Sequence, residues 1–146
     1  MNEQEIRDQW QRIKDHIKRY EEDPVAAHEH NPYGKVVPAL LLTATGRKSG
    51  KARNLPLIYK KIGERFVIVG SKAGMDEHPA WYKNLLANPD CHIQVAKDHY
   101  DVRARTATGA ERDDLWTQMV ELLPQYEEYQ SRTTRQIPIV VLEPQH

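Results

Sequence analysis

The chain has 146 residues, of which 39% are hydrophobic and 29% charged, and its 21 basic residues balance its 21 acidic ones. This composition is typical of one globular domain with one core, and it excludes disorder over the bulk of the chain. No stretch approaches the ~20 apolar residues of a membrane span, and the polar start "MNEQEIRDQW" is unlike a secretory signal. Cys91 is the single cysteine, so we expect no internal disulfide, no cysteine-built zinc site and a cytoplasmic location.

Residues 4–22 predict an amphipathic helix, because apolar side chains recur there at spacings of three and four. The opposite face is densely charged. The stretch "EEDPVAAHEHNPYGK" then reads as a connector, since its prolines and glycine interrupt a helix. The residues of the apolar face are Ile6, Trp10, Ile13, Ile17 and Tyr20.

Strands are predicted from Val36 onwards. The run "VVPALLLTATG" comes first, and a hairpin follows in which "LPLIYKK" and "RFVIVGSKAG" flank "IGE". Prolines bound a short helix in "HPAWYKNLLANP", and "CHIQV" pairs with "YDVRARTA" across "AKDH" as a second hairpin.

The segment "TGAERDDLWTQMVELL" predicts a further helix, with Thr108 as N-cap and Glu111 completing a capping box. A last strand, "IPIVVLEP", closes the chain. Strands that pair mainly as hairpins predict an antiparallel α+β fold or a small barrel with attached helices, and not a parallel nucleotide-binding sheet. We expect one domain over 1–146, with a helix and connector at 1–33 and the core at 34–146.

Positive charge is concentrated in one part of this neutral chain. Residues 30–63 hold seven bases and no acid, and four of those bases fall within "RKSGKAR". The loop "TGRKSGK" does not fit the phosphate-loop pattern, because only three residues separate Gly46 from Gly50. Its glycines, Ser49 and cations can nevertheless bind an anion. A solvated hairpin tip and a nucleic-acid patch are the alternatives, the latter weakened by the lack of interleaved aromatics.

Other motifs give less specific signals. "VGSKAG" repeats a small turn with one Ser and one Lys, while Trp81 in "HPAWY" is typical of a core residue. Tyr126 and Tyr129 share a helical face if the helix continues past Pro124, where they can wall a flat ligand or cover a core edge. We expect no metal site, because no further spaced ligand follows His28 and His30.

Four segments together resemble the deazaflavin (coenzyme F420)-dependent nitroreductase family, whose members are also called F420H2-dependent quinone reductases. The resemblance runs from about Leu40 to Pro144 and rests on "LLLTATGRKSGKARNLPLIY", "VGSKAG" with "DEHPAWYKNLLANP", "ARTATGAERDDLW" and "YEEYQSRTTRQIPIVVLEP". It implies a split β-barrel related to flavin-mononucleotide (FMN)-binding oxidoreductases. It also implies hydride transfer from reduced F420 to a quinone, a nitroaromatic or another electron-poor small molecule, with the cofactor supplying the chemistry.

The resemblance assigns roles to particular residues. F420 has a flat ring system and a tail with one phosphate and several carboxylates, which the basic loop would hold through Arg47, Lys48, Ser49 and Arg53. The ring would lie along the segment 54–59, under the turn 69–72 and beside the short helix 80–84. Ser71, Tyr126 and Tyr129 are the candidate catalytic residues, and Tyr126 would also contact the cofactor. The remaining implied cofactor contacts are Asn54, Leu55, Pro56, Leu57, Ile58, Tyr59, Val69, Gly70, Ser71, Lys72, Ala80, Trp81, Tyr82, Lys83 and Asn84.

Two features depart from the family pattern. Leu123 stands where a relative can carry a tyrosine, which would make the substrate pocket more apolar. The first helix is long and carries mixed charge, which favours a lid over the site rather than membrane contact. Two alternatives remain open: an FMN-dependent reductase of the same fold, and a non-catalytic module that binds a polyanion such as RNA. The basic loop suits a longer polyanionic tail than that of FMN, and a polyanion module leaves the tyrosine pair and the second Ser–Lys turn unexplained. We therefore expect an enzyme without a nucleic-acid partner, acting as a monomer or homodimer.

Overall fold

A computed structural model describes residues 2–146. Helix α1 spans Glu3–Glu22, and the Asn2 side chain caps it by accepting a hydrogen bond from the Glu5 amide at 2.8 Å. The segment predicted as an irregular connector contains a short helix, α2 (Pro24–Ala27), and a two-residue strand, β1 (Glu29–His30). The Asp23 carboxylate caps α2, and Pro24 suits its first position because that position needs no N–H donor.

Strand β2 (Val37–Thr45) lies at the centre of the architecture. It pairs with β3 (Ala52–Ile58) as a hairpin, and its other edge pairs with β1 and with β6 (Asp90–Val95). The sequence predicted the second strand at 55–61, but β3 ends at Ile58 because the chain then turns to pair elsewhere. Residues Lys60–Ile62 form β4, which pairs with β5 (Arg65–Val69).

The remaining strands complete one antiparallel sheet. Strand β7 (Asp98–Thr106) joins β6 to β8 (Ile139–Pro144), and β8 in turn joins β5, which gives the order β1-β2-β6-β7-β8-β5-β4 with β3 attached to β2. Inside the curled sheet lies the main core, which includes Leu40, Leu42, Phe66, Ile93 and Leu142. The predicted antiparallel α+β class is thus confirmed.

Helix α3 (Ala80–Ala87) is the predicted short helix, and α4 (Gly109–Leu122) and α5 (Gln125–Ser131) follow β7. Pro124 separates α4 from α5, since proline cannot continue an α-helix without losing a hydrogen bond. A second core, which includes Met119, Leu123 and Ile137, packs these helices against β5 and β8.

The predicted capping box of α4 is wrong. Thr108 does precede the helix, but its side chain makes no capping bond. Glu111 is instead drawn to the sheet, where its carboxylate accepts hydrogen bonds from the Arg105 guanidinium at 2.5 and 2.9 Å and lies 3.5 Å from Arg65. Two arginines outcompete a backbone N–H for the same carboxylate.

Only the second half of α1 packs on the domain. His16 and Tyr20 are buried there, whereas Ile6 is 41% and Trp10 58% exposed. The sequence predicted one continuous apolar face. In the structure the sheet covers the Tyr20 end of that face, and the end with Ile6 and Trp10 extends beyond the sheet. Within residues 2–146, no helix has both the length and the apolar character of a membrane span.

Candidate cofactor and substrate groove

A groove of about 810 Å³ runs between the free edge of β3 and the helices α1 and α5. The segment 31–33, the turn 71–73 after β5, and Trp81 of α3 contribute the rest of its wall. This volume is within the range of small-molecule and cofactor sites. The groove-lining side chains most relevant to function are Arg12, His16, His30, Tyr33, Leu55, Pro56, Leu57, Ile58, Val69, Ser71, Lys72, Trp81, Leu123, Tyr126 and Tyr129.

Strand β3 offers unused backbone groups to this groove. Among the strands of residues 2–146, it pairs with β2 alone. The bonds from the Gly46 amide to the Lys51 carbonyl (2.8 Å) and from the Tyr59 amide to the Pro38 carbonyl (3.1 Å) fix which residues bond β2. Because antiparallel pairs alternate, the backbone groups of Asn54, Pro56 and Ile58 point away from β2. A flat ligand lying along β3 can therefore bond the main chain.

The basic loop lies at the β2–β3 hairpin tip, at one end of β3. Arg47, Lys48, Lys51 and Arg53 are exposed, and none of them pairs with a carboxylate in the part of the chain that the structure describes. Four uncompensated charges repel one another, which an anionic ligand would relieve.

Ser49 organises this loop internally. Its hydroxyl oxygen accepts from the Lys51 amide at 3.2 Å and from the Arg53 guanidinium at 3.4 Å. Its own O–H hydrogen remains able to donate to an anion. A Cβ at Gly46 would come within 2.7 Å of the Ser49 oxygen, so glycine is needed there for the hydroxyl to sit inside the loop.

Asn84 anchors the loop to α3. Its side-chain oxygen accepts hydrogen bonds from the Arg47 amide at 3.1 Å and from the Arg47 guanidinium at 2.9 Å. Asn84 is buried, and its neutral amide positions Arg47 without cancelling the charge. Asn84 thus supports the loop from beneath.

The turn after β5 is held in an unusual backbone conformation. Lys72, Ala73 and Gly74 have φ of +44°, +51° and +77°, a region that non-glycine residues rarely adopt. A Cβ at Gly74 would lie 2.4 Å from the Tyr129 carbonyl oxygen, so the turn packs directly against α5. This packing places Ser71 and Tyr129 on the same groove.

Arg135 stabilises that turn, a role that no local sequence pattern predicted. Its guanidinium donates to the carbonyls of Gly70 (3.2 Å), Ser71 (2.8 Å) and Met75 (2.7 Å), and to His78 Nδ1 (3.1 Å). Burial, with Arg135 and Lys83 as lesser causes, lowers the pKa of His78. About sixty residues separate Arg135 from the turn, so local sequence patterns could not predict these contacts.

Three tyrosines meet at the α5 side of the groove. The rings of Tyr126 and Tyr129 lie 6.5 Å apart, and the Tyr129 hydroxyl is hydrogen-bonded to the hydroxyl of Tyr33. Tyr126 is 5% exposed, and burial raises its pKa above the ordinary value. Burial also raises the pKa of Tyr129, to which the bond with Tyr33 adds. Both phenols are therefore neutral donors at physiological pH.

Helix α1 adds polar groups that the sequence reasoning missed. His16 donates from Nε2 to the Ala27 carbonyl at 2.8 Å, and its ring lies 5.0 Å from that of His30. Burial, with His16 and Arg19 as lesser causes, lowers the pKa of His30 to about 4. Together with Arg12, these side chains line the groove, so α1 forms one wall of it. A lid function for this helix stays a prediction.

Most of the sequence-predicted cofactor residues fall into two adjoining places. Arg47, Lys48, Ser49 and Arg53 form the loop, with Asn54 beside it. The groove holds Leu55, Pro56, Leu57, Ile58, Val69, Ser71, Lys72, Trp81, Tyr126 and Tyr129.

Several predicted contacts lie away from the groove lining. Tyr59 is buried in the main core, where its hydroxyl bonds His28 Nε2 at 2.6 Å. Tyr82 is likewise buried and bonds the Thr106 hydroxyl at 2.9 Å. Both side chains pack in the main core, because Tyr59 between β3 and β4 and Tyr82 on α3 face inward.

The other predicted positions border the site without lining it. Lys83 pairs with Glu77, which Lys72 also approaches at 3.7 Å. Gly70 packs against Pro138 with no room for a Cβ, and Ala80 is exposed at the start of α3. Within residues 2–146, no group of three His, Cys, Asp or Glu is placed to hold a metal ion.

An antiparallel split barrel with a groove along one strand edge and a cationic loop at its end defines a class of protein that can hold a flat ligand with an anionic tail. Comparison with known proteins identifies the family within that class. Residues 10–144 match the family described as F420H(2)-dependent quinone reductase, and this chain belongs to that family. The predicted split barrel and the predicted family are both confirmed.

Individual relatives agree with this assignment. A Mycobacterium tuberculosis (strain H37Rv) protein named F420H(2)-dependent quinone reductase is 42% identical over 108 residues, which cover 72% of each chain. A solved F420-H2 dependent reductase (FDR-A) is 41% identical, with a TM-score of 0.68 over 73% of this chain and 94% of that one. A third structure, described as a domain-swapped dimer, is 34% identical, with a TM-score of 0.71 over 92% and 98% of the chains.

Proposed function

We propose that this protein transfers a hydride from reduced coenzyme F420 to a quinone bound in the same groove. The observation that carries this proposal is the loop of four unpaired cations at one end of a free strand edge, with the tyrosine cluster lining the same groove. When bound, the deazaflavin supplies the hydride. The family match supports this reading over the FMN alternative and over a non-catalytic polyanion module.

The chain offers a fitting surface to each part of such a cofactor. Arg47, Lys48, Ser49 and Arg53 would hold the anionic tail through charge and hydroxyl donation. The backbone groups of Asn54, Pro56 and Ile58, which β2 leaves unbonded, would bond the polar edge of the ring. The apolar side chains of β3 and Trp81 would exclude water from the ring faces.

The acceptor would bind between the ring and the α5 side of the groove. Ser71, Tyr126 and Tyr129 place hydroxyl groups there, and the Ser71 side chain makes no capping bond that would occupy it. A neutral hydroxyl aimed at the acceptor oxygen stabilises the negative charge that develops as the hydride arrives. Leu123, which is buried against the groove, makes this end apolar and suits a flat hydrophobic quinone or nitroaromatic.

Cofactor titration tests the tail assignment. Binding of reduced F420 is followed by quenching of protein fluorescence in the parent, in Lys48→Ala and in Arg53→Ala. Each exposed charge within ~4 Å of an anion is worth about 1 kcal/mol in water, so each substitution should weaken binding about fivefold. The matched control is Lys97→Ala, an exposed lysine in the β6–β7 turn at the other end of β2.

Added salt should weaken binding to the parent more than binding to the two variants, because screening removes the same interaction. Unchanged affinity in both variants would show that the tail does not bind this loop. A yellow protein with tightly bound flavin would favour the FMN alternative, and salt-dependent RNA binding without F420 binding would favour the polyanion module.

The oligomeric state and the cellular location of the protein are also proposed. A relative described as a domain-swapped dimer makes a homodimer the expected state, with a monomer as the alternative. We expect one domain acting in the cytoplasm on a small-molecule acceptor. Sedimentation of the purified protein at several concentrations tests the oligomeric state.

A further inference from the structure

The segment 31–36, here called the strap, crosses the groove between β1 and β2. Two contacts hold it to the opposite wall. Lys35 Nζ donates to the Leu122 carbonyl at 2.8 Å, with the Glu121 carbonyl at 3.5 Å, at the end of α4. The second contact joins the hydroxyl groups of Tyr33 and Tyr129.

The tyrosine contact connects two different environments. Tyr33 is 49% exposed, so it meets bulk water, while Tyr129 is half-buried and lines the groove beside Tyr126. Either hydroxyl can donate in this pair. When Tyr33 donates, the Tyr129 O–H is left free to point at a group in the groove.

Reduction of a carbonyl-type acceptor requires a proton as well as a hydride. Helices α1 and α5 and the strap form walls of the acceptor groove, and the hydroxyl pair of Tyr33 and Tyr129 offers the proton a hydrogen-bonded route along one of them. We propose that Tyr33 is a positioning residue that couples Tyr129 to solvent and thereby delivers this proton. This inference rests on the proposed function, and it adds a residue of the strap to the site.

Each step balances in atoms and charge. The acceptor gains an electron pair and one hydrogen as hydride, and its oxygen becomes anionic while the cofactor is oxidised. The Tyr129 O–H bond breaks as its proton moves to that oxygen, and the Tyr33 proton moves to Tyr129. Water then returns a proton to the Tyr33 oxygen and the buffer neutralises the hydroxide that this leaves, so neither tyrosine carries lasting charge.

The surroundings of Tyr129 favour a neutral hydroxyl that regains its proton as soon as it gives one away. Burial raises the pKa of Tyr129, and the hydrogen bond with Tyr33 raises it further. Arg132, whose guanidinium lies 5.5 Å from the ring centre, lowers this pKa by less than burial raises it, and Glu128 partly offsets the effect of Arg132. A phenolate left at this position would be costly, since a half-buried charge loses hydration. Simultaneous proton transfer from Tyr33 avoids that state.

Tyr33→Phe tests the inference, because it keeps the ring of the strap and removes only the hydroxyl. Single-turnover oxidation of bound reduced F420 by menadione is measured in H₂O and in D₂O. We expect unchanged affinity for reduced F420, a rate about 10-fold lower, and a larger solvent isotope effect. General acid catalysis contributes about 10²–10⁴-fold, and water can partly replace the missing hydroxyl.

Lys35→Met is the matched control for a purely mechanical strap. It removes the other anchor and leaves the hydroxyl pair intact. A change in the menadione concentration that gives half of the maximal single-turnover rate, with no change in the solvent isotope effect, is expected. If Lys35→Met and Tyr33→Phe behave alike in both solvents, the strap acts only as a cover and the relay is wrong.

A readout without turnover checks the hydrogen bond itself. In cofactor-free protein carrying ¹³Cζ-labelled tyrosine, Tyr129 is assigned by the signal lost in Tyr129→Phe. That signal should shift in Tyr33→Phe and stay in place in Tyr100→Phe, whose hydroxyl lies on β7 away from the groove. An unshifted Tyr129 signal would refute the contact.

Failure of this inference is distinguishable from failure of the proposed function. A parent protein that neither binds nor oxidises reduced F420 refutes the function. A parent that turns over normally, with Tyr33→Phe matching it in rate and isotope effect, refutes the relay alone.

Discussion

Replacing Arg135 by alanine removes the group that holds the turn after β5. The parent guanidinium donates to the carbonyls of Gly70, Ser71 and Met75 at 3.2, 2.8 and 2.7 Å. Alanine removes the guanidinium donor from all three carbonyls, so that the Ser71 carbonyl keeps only the Gly74 amide, and two of the three lost bonds are partly buried. The turn should therefore lose its defined conformation, and Ser71 its position at the groove.

The expected cost follows from these contacts. A hydrogen bond to a charged group is worth about 1.5–3 kcal/mol, so the two partly buried bonds give about 3 kcal/mol at the lower limit. The exposed third bond is readily replaced by water and adds little. In a domain of about 150 residues, 3 kcal/mol corresponds to a fall in Tm of about 6–12 °C.

Backbone strain in the turn means that part of the effect of Arg135→Ala is a change in the turn itself and not a loss of global stability. Lys72 and Ala73 are held at φ of +44° and +51°, which costs about 1–2 kcal/mol per residue. Without Arg135 the turn can relax to an ordinary conformation, which recovers some stability but moves Ser71. We therefore expect the variant to lose more in turnover than its fall in stability alone would cause.

Two assays separate the global and local effects. Urea unfolding gives the change in the free energy of unfolding. Amide hydrogen exchange reports on the turn through the Gly74 and Met75 amides, which donate to the Ser71 and Lys72 carbonyls at 2.9 and 3.0 Å. The control is Arg132→Ala, which removes one 3.4 Å bond to the Ala73 carbonyl and an exposed ion pair with Glu128 and should cost less than about 1 kcal/mol.

The reasoning would be refuted if Arg135→Ala unfolded at the same urea concentration as the parent and its turn amides exchanged at the parent rate. Arg135→Lys is the informative intermediate. Lysine keeps the charge but lacks the planar fork that reaches several carbonyls at once. It should therefore recover less than half of the lost stability.

Three further predictions concern the rest of the domain. Tyr20→Phe should destabilise the protein by about 1–3 kcal/mol in urea unfolding, because the buried carbonyl of Ala39 loses its hydroxyl donor; an unchanged midpoint would contradict this. His30 has a pKa lowered to about 4, so below about pH 6.5 the unfolded chain takes up a proton that the folded chain does not. Stability should fall as the pH drops from about 6.5 to 4, by about 1 kcal/mol at pH 5 once solvent screening is allowed for, and His30→Gln should show a shallower fall. Burial, followed by the charge of Asp90, raises the pKa of Cys91 to about 12, so a thiol reagent at pH 8 should modify it slowly in the folded protein and rapidly in urea, and fast labelling of the folded protein would contradict this.

Features that depend on neighbouring residues were determined by the sequence. The periodicity of residues 4–22 predicted α1, and the apolar runs predicted all the strands except β1. They also predicted the β6–β7 hairpin and, with a first strand that was too long, the β4–β5 hairpin. The loop charges were visible for the same reason, since "RKSGKAR" is one continuous stretch. Whether the helix continues past Pro124 was left open, and the structure ends α4 at Leu122 and begins α5 at Gln125.

Tertiary structure decided what distant segments do to each other. Glu111 left its expected cap because Arg65 and Arg105 come close in the folded sheet. Strand β3 ended early because its pairing with β2 stops at Ile58.

The site shows the same division. Local pattern marked Ser71, Tyr126 and Tyr129 as chemical groups, but it gave no sign that Tyr33 meets Tyr129 or that Arg135 holds the turn. Tyr59 and Tyr82 were assigned to the cofactor and lie in the core. The physical reason is that charge, periodicity and chain-breaking residues act over a few positions. Which side chains share a groove depends instead on strand order, register and packing across the whole chain.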